Sequence, residues 1–209
     1  MKTVFVNPER CLGCHQCEIA CAVAHSSSKE VSLALWEEPL PRRRIHVEPG
    51  PTYNTSFANK CRHCNPAPCE QVCPTGAIHR QQDHDLVLIT ATKCIACAMC
   101  AMVCPFDVLT YYPVAETGPQ RVVAVKCDGC VDRLSRGDIP ACVEACKAEA
   151  LVFGELNELL KAGRLRESYA VVAATTMMEG QAPAVPETVH AWRAWGASAE
   201  EATQGGGER

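Results

Sequence analysis

The chain has 209 residues, of which 16 are cysteine, against only four Phe, four Tyr and three Trp. A formal net charge of -4 gives no sign of nucleic-acid binding, and the local basic patch Arg42-Arg43-Arg44 reads as solvated surface. So many thiols beside so few aromatics argue against an ordinary apolar core and for a fold organised around inorganic centres, whose binding supplies folding energy.

The N-terminus, Met1-Lys2-Thr3-Val4-Phe5-Val6, has no apolar h-region or small-residue cleavage site. Export on a signal of its own is therefore not expected, eight disulfides are a poor account of the thiols, and a cytoplasmic location is expected. The best candidate for a membrane span, Tyr169 to Met178, is too short and contains Thr175 and Thr176, so no transmembrane segment is expected.

In chain order, a strand at Thr3 to Val6 leads to a first cysteine group, Cys11, Cys14, Cys17 and Cys21. Its exit, Cys21-Ala22-Val23-Ala24-His25, reads as a helix that simply continues and ends in Ser26-Ser27-Ser28. An insertion with Pro39, Pro41, Pro49, Gly50 and Pro51 flanks a strand at Arg44 to Glu48. The second group is Cys61, Cys64, Cys69 and Cys73. A strand at Leu86 to Ile89 precedes the third, Cys94, Cys97, Cys100 and Cys104. A smaller insertion, Pro113 to Gln120, and a strand at Val122 to Val125 precede the fourth, Cys127, Cys130, Cys142 and Cys146. No cysteine is left over.

Each group opens after a basic residue (Arg10, Lys60, Lys93, Lys126), so the repeating unit is strand, cysteine loop, short helix. The last three exits each turn into a second apolar stretch, and in two of them Pro74 or Pro105 follows the last cysteine, where it cannot continue a helix. From Glu155 to Ala174 the spacing of Leu156, Leu159, Leu160 and Leu165 predicts one helix. After Glu179 the chain is rich in Pro, Ala, Gly and Glu and is expected to be disordered or to order only against a partner.

The third group, C-x2-C-x2-C-x3-C-P, is the bacterial ferredoxin run, in which three cysteines hold one 4Fe-4S cube and the fourth holds its neighbour. Two-residue gaps let a tight loop wrap successive thiolates around adjacent iron corners. Zinc is the main competing reading, but its sites use two pairs separated by a finger-length spacer, whereas the first three groups crowd their thiols. The fourth group, with eleven residues between Cys130 and Cys142, leaves zinc more open. No lone cysteine stands apart as a catalytic nucleophile. The four preceding cations would raise cluster potentials if they lie close, or are solvated charges at strand ends if they do not. His15 and His63 sit inside ligand loops, where they could donate to sulfur. Met99 and Met102 read as packing filler.

At these four motifs the chain resembles the four-cluster iron-sulfur subunits of molybdenum and tungsten oxidoreductases, such as formate dehydrogenase and dimethyl sulfoxide reductase. Its opening, Cys11-Leu12-Gly13-Cys14-His15-Gln16-Cys17-Glu18-Ile19-Ala20-Cys21, looks closest to the partners of carbon monoxide dehydrogenase, formate dehydrogenase and tungsten aldehyde oxidoreductase. The likeness covers roughly Thr3 to Leu156. Lys147 and Ala22 stand where the family usually has proline.

The resemblance implies an α+β fold of two tandem or intercalated bacterial ferredoxin-like modules, each with two 4Fe-4S clusters. One module takes residues 1–30 and 121–156, with motifs one and four; the other takes 57–112, with motifs two and three. Residues 31–56 are an inserted loop or hairpin, and 157–209 a C-terminal helical extension and tail. The implied ligand sets are Cys11, Cys14, Cys17 and Cys146; Cys127, Cys130, Cys142 and Cys21; Cys61, Cys64, Cys69 and Cys104; and Cys94, Cys97, Cys100 and Cys73.

The implied role is a non-catalytic electron-transfer subunit that relays single electrons between a catalytic oxidoreductase subunit and an accepting subunit or carrier. The catalytic subunit would be a molybdenum or tungsten enzyme, carbon monoxide dehydrogenase or a hydrogenase. A free soluble polyferredoxin and a protein whose clusters only hold the fold are the alternatives. Leu156, Leu159, Leu160, Trp192 and Trp195, outside the repeats, raise self-association into an extended wire as a further expectation.

Overall fold

The computed structural model describes residues 2–52 and 55–175. The low-complexity stretch after Glu179, with Trp192 and Trp195, lies outside the described residues. The chain divides after Glu155 into two compact units.

In the first unit, strand β1 (Lys2–Val6) enters the first cysteine loop, from which helix α1 (Gln16–Ala24) emerges. As expected, α1 continues through Cys21 and stops at the serine run, where the Ser26 hydroxyl donates to the Val23 carbonyl at 2.7 Å. The insertion holds a short helix α2 (Val31–Ala34) and a hairpin, β2 (Ile45–Pro49) with β3 (Ser56–Lys60). The strand at β2 is expected from the sequence; its partner β3 is not. Ser-Phe-Ala-Asn-Lys lacks an apolar stripe, because its two inward positions are Ala58 and Lys60.

Helix α3 (Pro68–Gln71) follows the second loop, and β4 (Ile78–Gln81) pairs antiparallel with β5 (Leu86–Ile89). After the third loop come α4 (Met99–Met102) and the hairpin of β6 (Thr110–Pro113) with β7 (Val122–Val125). The fourth group spans α5 (Val131–Ser135) and α6 (Ala141–Glu144), then β8 (Leu151–Glu155). Strand β8 returns to β1, antiparallel, with Lys2 opposite Glu155 and Val6 opposite Leu151. Among the described residues the sheets are therefore four separate two-stranded ribbons. Such ribbons are weak alone and need packing.

That packing is supplied by two small cores. In one, Ile45, Val47 and Ala58 of the inserted hairpin meet Leu151 together with Cys17, Cys21 and Cys142. In the other, Ile78, Val87, Val123 and Val125 meet Cys94 and Cys100. Cysteine takes the place that large apolar side chains fill elsewhere, as the composition suggests. Strand β7 joins the core of the second and third motifs and pairs with β6, although its own loop carries the fourth motif. The repeats thus interlock.

The second unit contributes one described element, helix α7 (Leu156–Thr175), over the span that leucine spacing predicts.

Candidate metal centres

The four loops share a backbone device that the spacing alone does not reveal. The residue before the second cysteine has positive φ in every group: Gly13 (65°), His63 (50°), Ala96 (54°) and Gly129 (71°). A left-handed residue at that place turns amide N–H groups inward, as in an anion-binding nest. His63, Ala96 and Gly129 donate their N–H to Cys61, Cys94 and Cys127 respectively, each at 3.4 Å. Neighbouring strands add two more donors: the Arg44 N–H to Cys21 at 3.3 Å and the Ala124 N–H to Cys94 at 3.4 Å. These backbone donors to sulfur favour the thiolate that iron requires.

Thiols from different motifs converge. A cavity of about 630 Å³ is lined by Cys21, Cys127, Cys130 and Cys142, with Lys60 and His63 in its wall. A second, smaller one is lined by Cys73, Cys94, Cys97 and Cys100. Cys17 lies in the electrostatic field of Cys146, Cys11 and Cys14, and Cys69 in that of Cys61 and Cys104. The Cys64 carbonyl accepts from the Arg80 guanidinium.

Burial raises these thiols. Desolvation, then Glu18 and the neighbouring sulfurs, push Cys17 up to about 11, and desolvation does the same to Cys130. Cys21, Cys127 and Cys142 are raised by desolvation too, with mutual repulsion adding to it. Cys73 differs: desolvation is outweighed by the Ile78 N–H and the Thr75 hydroxyl, and its pKa falls. Gathering so many soft anionic donors in apolar surroundings is favourable only around a strongly cationic core. The donor set therefore fits iron-sulfur clusters.

The basic residues ahead of the loops split into two kinds. Lys60 and Lys126 are buried, 3% and 4% exposed. Lys60 donates to the Cys61 carbonyl at 3.3 Å, and Lys126 to the carbonyls of Cys127 and Val87. Arg10 instead makes an exposed ion pair with Glu149 at 2.7 Å, and Lys93 is at the surface. Met102 is exposed rather than packed as filler, with Met99 half so.

Several functional groups escape the sequence reading. The arginine triplet is not a loose patch: Arg42 stacks on Tyr112 at 5.0 Å, Arg43 pairs with Glu18 at 3.2 Å and Arg44 with Asp128 at 2.6 Å. Asp128 also accepts from His25 Nε2 at 3.0 Å and the Cys130 N–H at 2.8 Å. Although burial would raise its carboxyl, these partners hold it well below the usual range. His25, Asp128 and Cys130 approach one another as a metal trio would, but the carboxylate is already committed to the arginine and histidine. Glu18, also buried, accepts from the Val47 N–H at 2.7 Å and bonds His15 at 3.0 Å, fastening the first loop to the inserted hairpin. Tyr111 places its hydroxyl 3.3 Å from Cys100 Sγ. The contacts of Arg42, Arg43, Arg44 and His25, and that of Glu18 with Val47, pair residues far apart in the chain, and no local pattern announces them.

Sixteen thiols grouped by fours on short antiparallel ribbons define a ferredoxin-type protein equipped for four 4Fe-4S clusters, with electron transfer as its chemistry. Residues 53–156 match the 4Fe-4S dicluster domain family. The chain is 43% identical over 174 residues to an iron-sulfur protein of Rhodospirillum rubrum, covering 78% of this chain and 89% of that one. It is 36% identical over 169 residues to the B subunit of anaerobic dimethyl sulfoxide reductase from Escherichia coli K12, covering 75% of each. The electron transport protein HydN of the same organism is 36% identical over 165 residues, covering 75% of this chain and 89% of that one. The chain belongs to this family of 4Fe-4S dicluster electron-transfer proteins. Among the described residues no helix is long and apolar enough to cross a membrane.

Proposed function

We propose that this chain is the electron-relay subunit of an oxidoreductase complex, passing single electrons through four 4Fe-4S clusters between a catalytic subunit and an acceptor. The catalytic subunit is of the molybdenum or tungsten type, a carbon monoxide dehydrogenase or a hydrogenase. The ligand sets are Cys11, Cys14, Cys17 and Cys146; Cys21, Cys127, Cys130 and Cys142; Cys61, Cys64, Cys69 and Cys104; and Cys73, Cys94, Cys97 and Cys100. Motifs one and four form one module and motifs two and three the other. The compartment we assign is the cytoplasm, whose reducing poise keeps thiols available to iron.

The observation that carries the reading is the cavity shared by Cys21, Cys127, Cys130 and Cys142, which joins the first motif to the fourth across more than a hundred residues of chain. The exposed thiols support it too: Cys14 and Cys97, from the first and third motifs, are the only exposed cysteines. Exposed Leu12 lies beside one, and exposed Ile95, Met99 and Met102 beside the other. Exposed apolar side chains close in sequence to each exposed cysteine suit docking of a redox partner.

The test is anaerobic purification of the tagged chain from its native host, with iron analysis and mass measurement. A stoichiometric complex with a catalytic subunit is expected. A chain that elutes alone and fully loaded is a free polyferredoxin, and a particle of several copies is the extended wire.

A further inference from the structure

The second cysteine loop carries a histidine where the other loops carry Gly13, Ala96 and Gly129, at a backbone position of positive φ. A bulky residue in that conformation is uncommon and calls for a compensating role. His63 is 7% exposed, and its Nδ1 accepts the Val87 N–H at 3.1 Å. A nitrogen that accepts carries no proton, so the ring proton is on Nε2. Among the described residues that Nε2 has no hydrogen-bond partner. A buried donor left unpaired is costly, and native structures rarely keep one.

His63 stands in the wall of the cavity formed by Cys21, Cys127, Cys130 and Cys142, while its backbone N–H donates to Cys61 Sγ in the neighbouring set. We propose that His63 is a positioning and tuning residue for the cluster of that cavity. Its Nε2–H donates to a sulfur there, so that one residue is hydrogen-bonded to the ligand shells of two clusters and links the two modules. The proposal rests on the ligand assignment above. The ring itself would keep its proton and be neither oxidised nor reduced. A donor to sulfur stabilises the reduced cluster, so the His63 ring raises the potential of the cluster at Cys127, while only its backbone N–H, kept in any variant, acts on Cys61.

The full chain is prepared anaerobically as wild type, His63→Phe and His63→Gly, and its clusters are titrated by EPR. Phenylalanine keeps the ring's bulk without the N–H, and glycine relieves the backbone so that the loop folds without strain. Both variants are expected to lower the midpoint of one and the same cluster, the one whose signal changes in Cys142→Ser. Unchanged midpoints in both, or a shift confined to the cluster altered by Cys104→Ser, would overturn the proposal. Should Cys142→Ser and Cys21→Ser alter two different clusters, the ligand assignment falls and the proposal with it, a failure visible without the His63 variants.

Discussion

Lys60 and Lys126 each precede one cysteine group and act on the other's. The ammonium of Lys60, ahead of the second group, lies in the field of Cys127 and Cys142, and that of Lys126, ahead of the fourth, in the field of Cys69. Lys60 ends strand β3 and Lys126 directly follows β7, and both side chains are buried, so two cations lie among the thiols of neighbouring motifs.

A buried cation favours the reduced, more negative cluster. At an effective dielectric of about 20 and a separation of roughly 7 Å, a unit charge contributes about 2 kcal/mol, on the order of 100 mV for one electron. Lys60→Met should therefore lower the midpoint of the cluster at Cys127 and Cys142 by roughly 50–100 mV. Lys93→Met, at the surface where water screens the charge, should shift its neighbour by less than about 20 mV. EPR-monitored titration of both variants measures this, and equal shifts would contradict the division into buried and exposed cations.

Tyr111→Phe removes one O–H···S contact at Cys100 and nothing else of size. A net hydrogen bond of about 1 kcal/mol corresponds to a fall of roughly 40 mV in that cluster's midpoint. Burial, and then the bond to Cys100, raise the tyrosine pKa well above its ordinary value, so the hydroxyl is still a donor in alkaline buffer. The difference between wild type and variant should stay constant from about pH 6 to pH 9. A difference that vanishes within that range would show that the phenol ionises and is not the donor.

Gly129→Ala combines two costs. Its φ of 71° disfavours a side chain, and a Cβ there would lie 2.7 Å from Leu86 Cδ2 and 2.9 Å from Cδ1. Gly76 has a similar φ of 61° with nothing within 4 Å, so Gly76→Ala isolates the backbone part, about 1 kcal/mol. Iron release to a chelator should be markedly faster in Gly129→Ala, whose loop loses roughly 2–4 kcal/mol. Equal rates in the two variants would mean that Leu86 yields without cost.

The strands at Thr3, Leu86 and Val122, the helix through Cys21 and the helix over 156–175 are all legible in the sequence, because each rests on a local apolar pattern. Strand β3 is not, since its inward positions are a small residue, Ala58, and a lysine, Lys60, rather than an apolar stripe. The arginine triplet misleads for the same reason: Asp128, Glu18 and Tyr112, which fasten it, lie far along the chain. Sulfur and iron are evident from cysteine spacing alone. Which distant cysteine completes each set is not, for the gaps within one motif carry no information about another, and only the family resemblance suggests it. Lys60 and His63 are legible as candidates to act on sulfur from their places at the cysteine loops, whereas Tyr111 is not, since nothing in the chain around it points to Cys100.

The pairing of β1 with β8 also has a consequence for biosynthesis. Strand Lys2–Val6 is made long before its hydrogen-bonding partner, Leu151–Glu155, which is nearly the whole unit away. Strands β4 and β5, by contrast, are separated by only the four residues 82–85 and close as they emerge. The ribbon that flanks the first cysteine loop therefore cannot close until residues 151–155 have been made, whereas the local hairpins need no such wait.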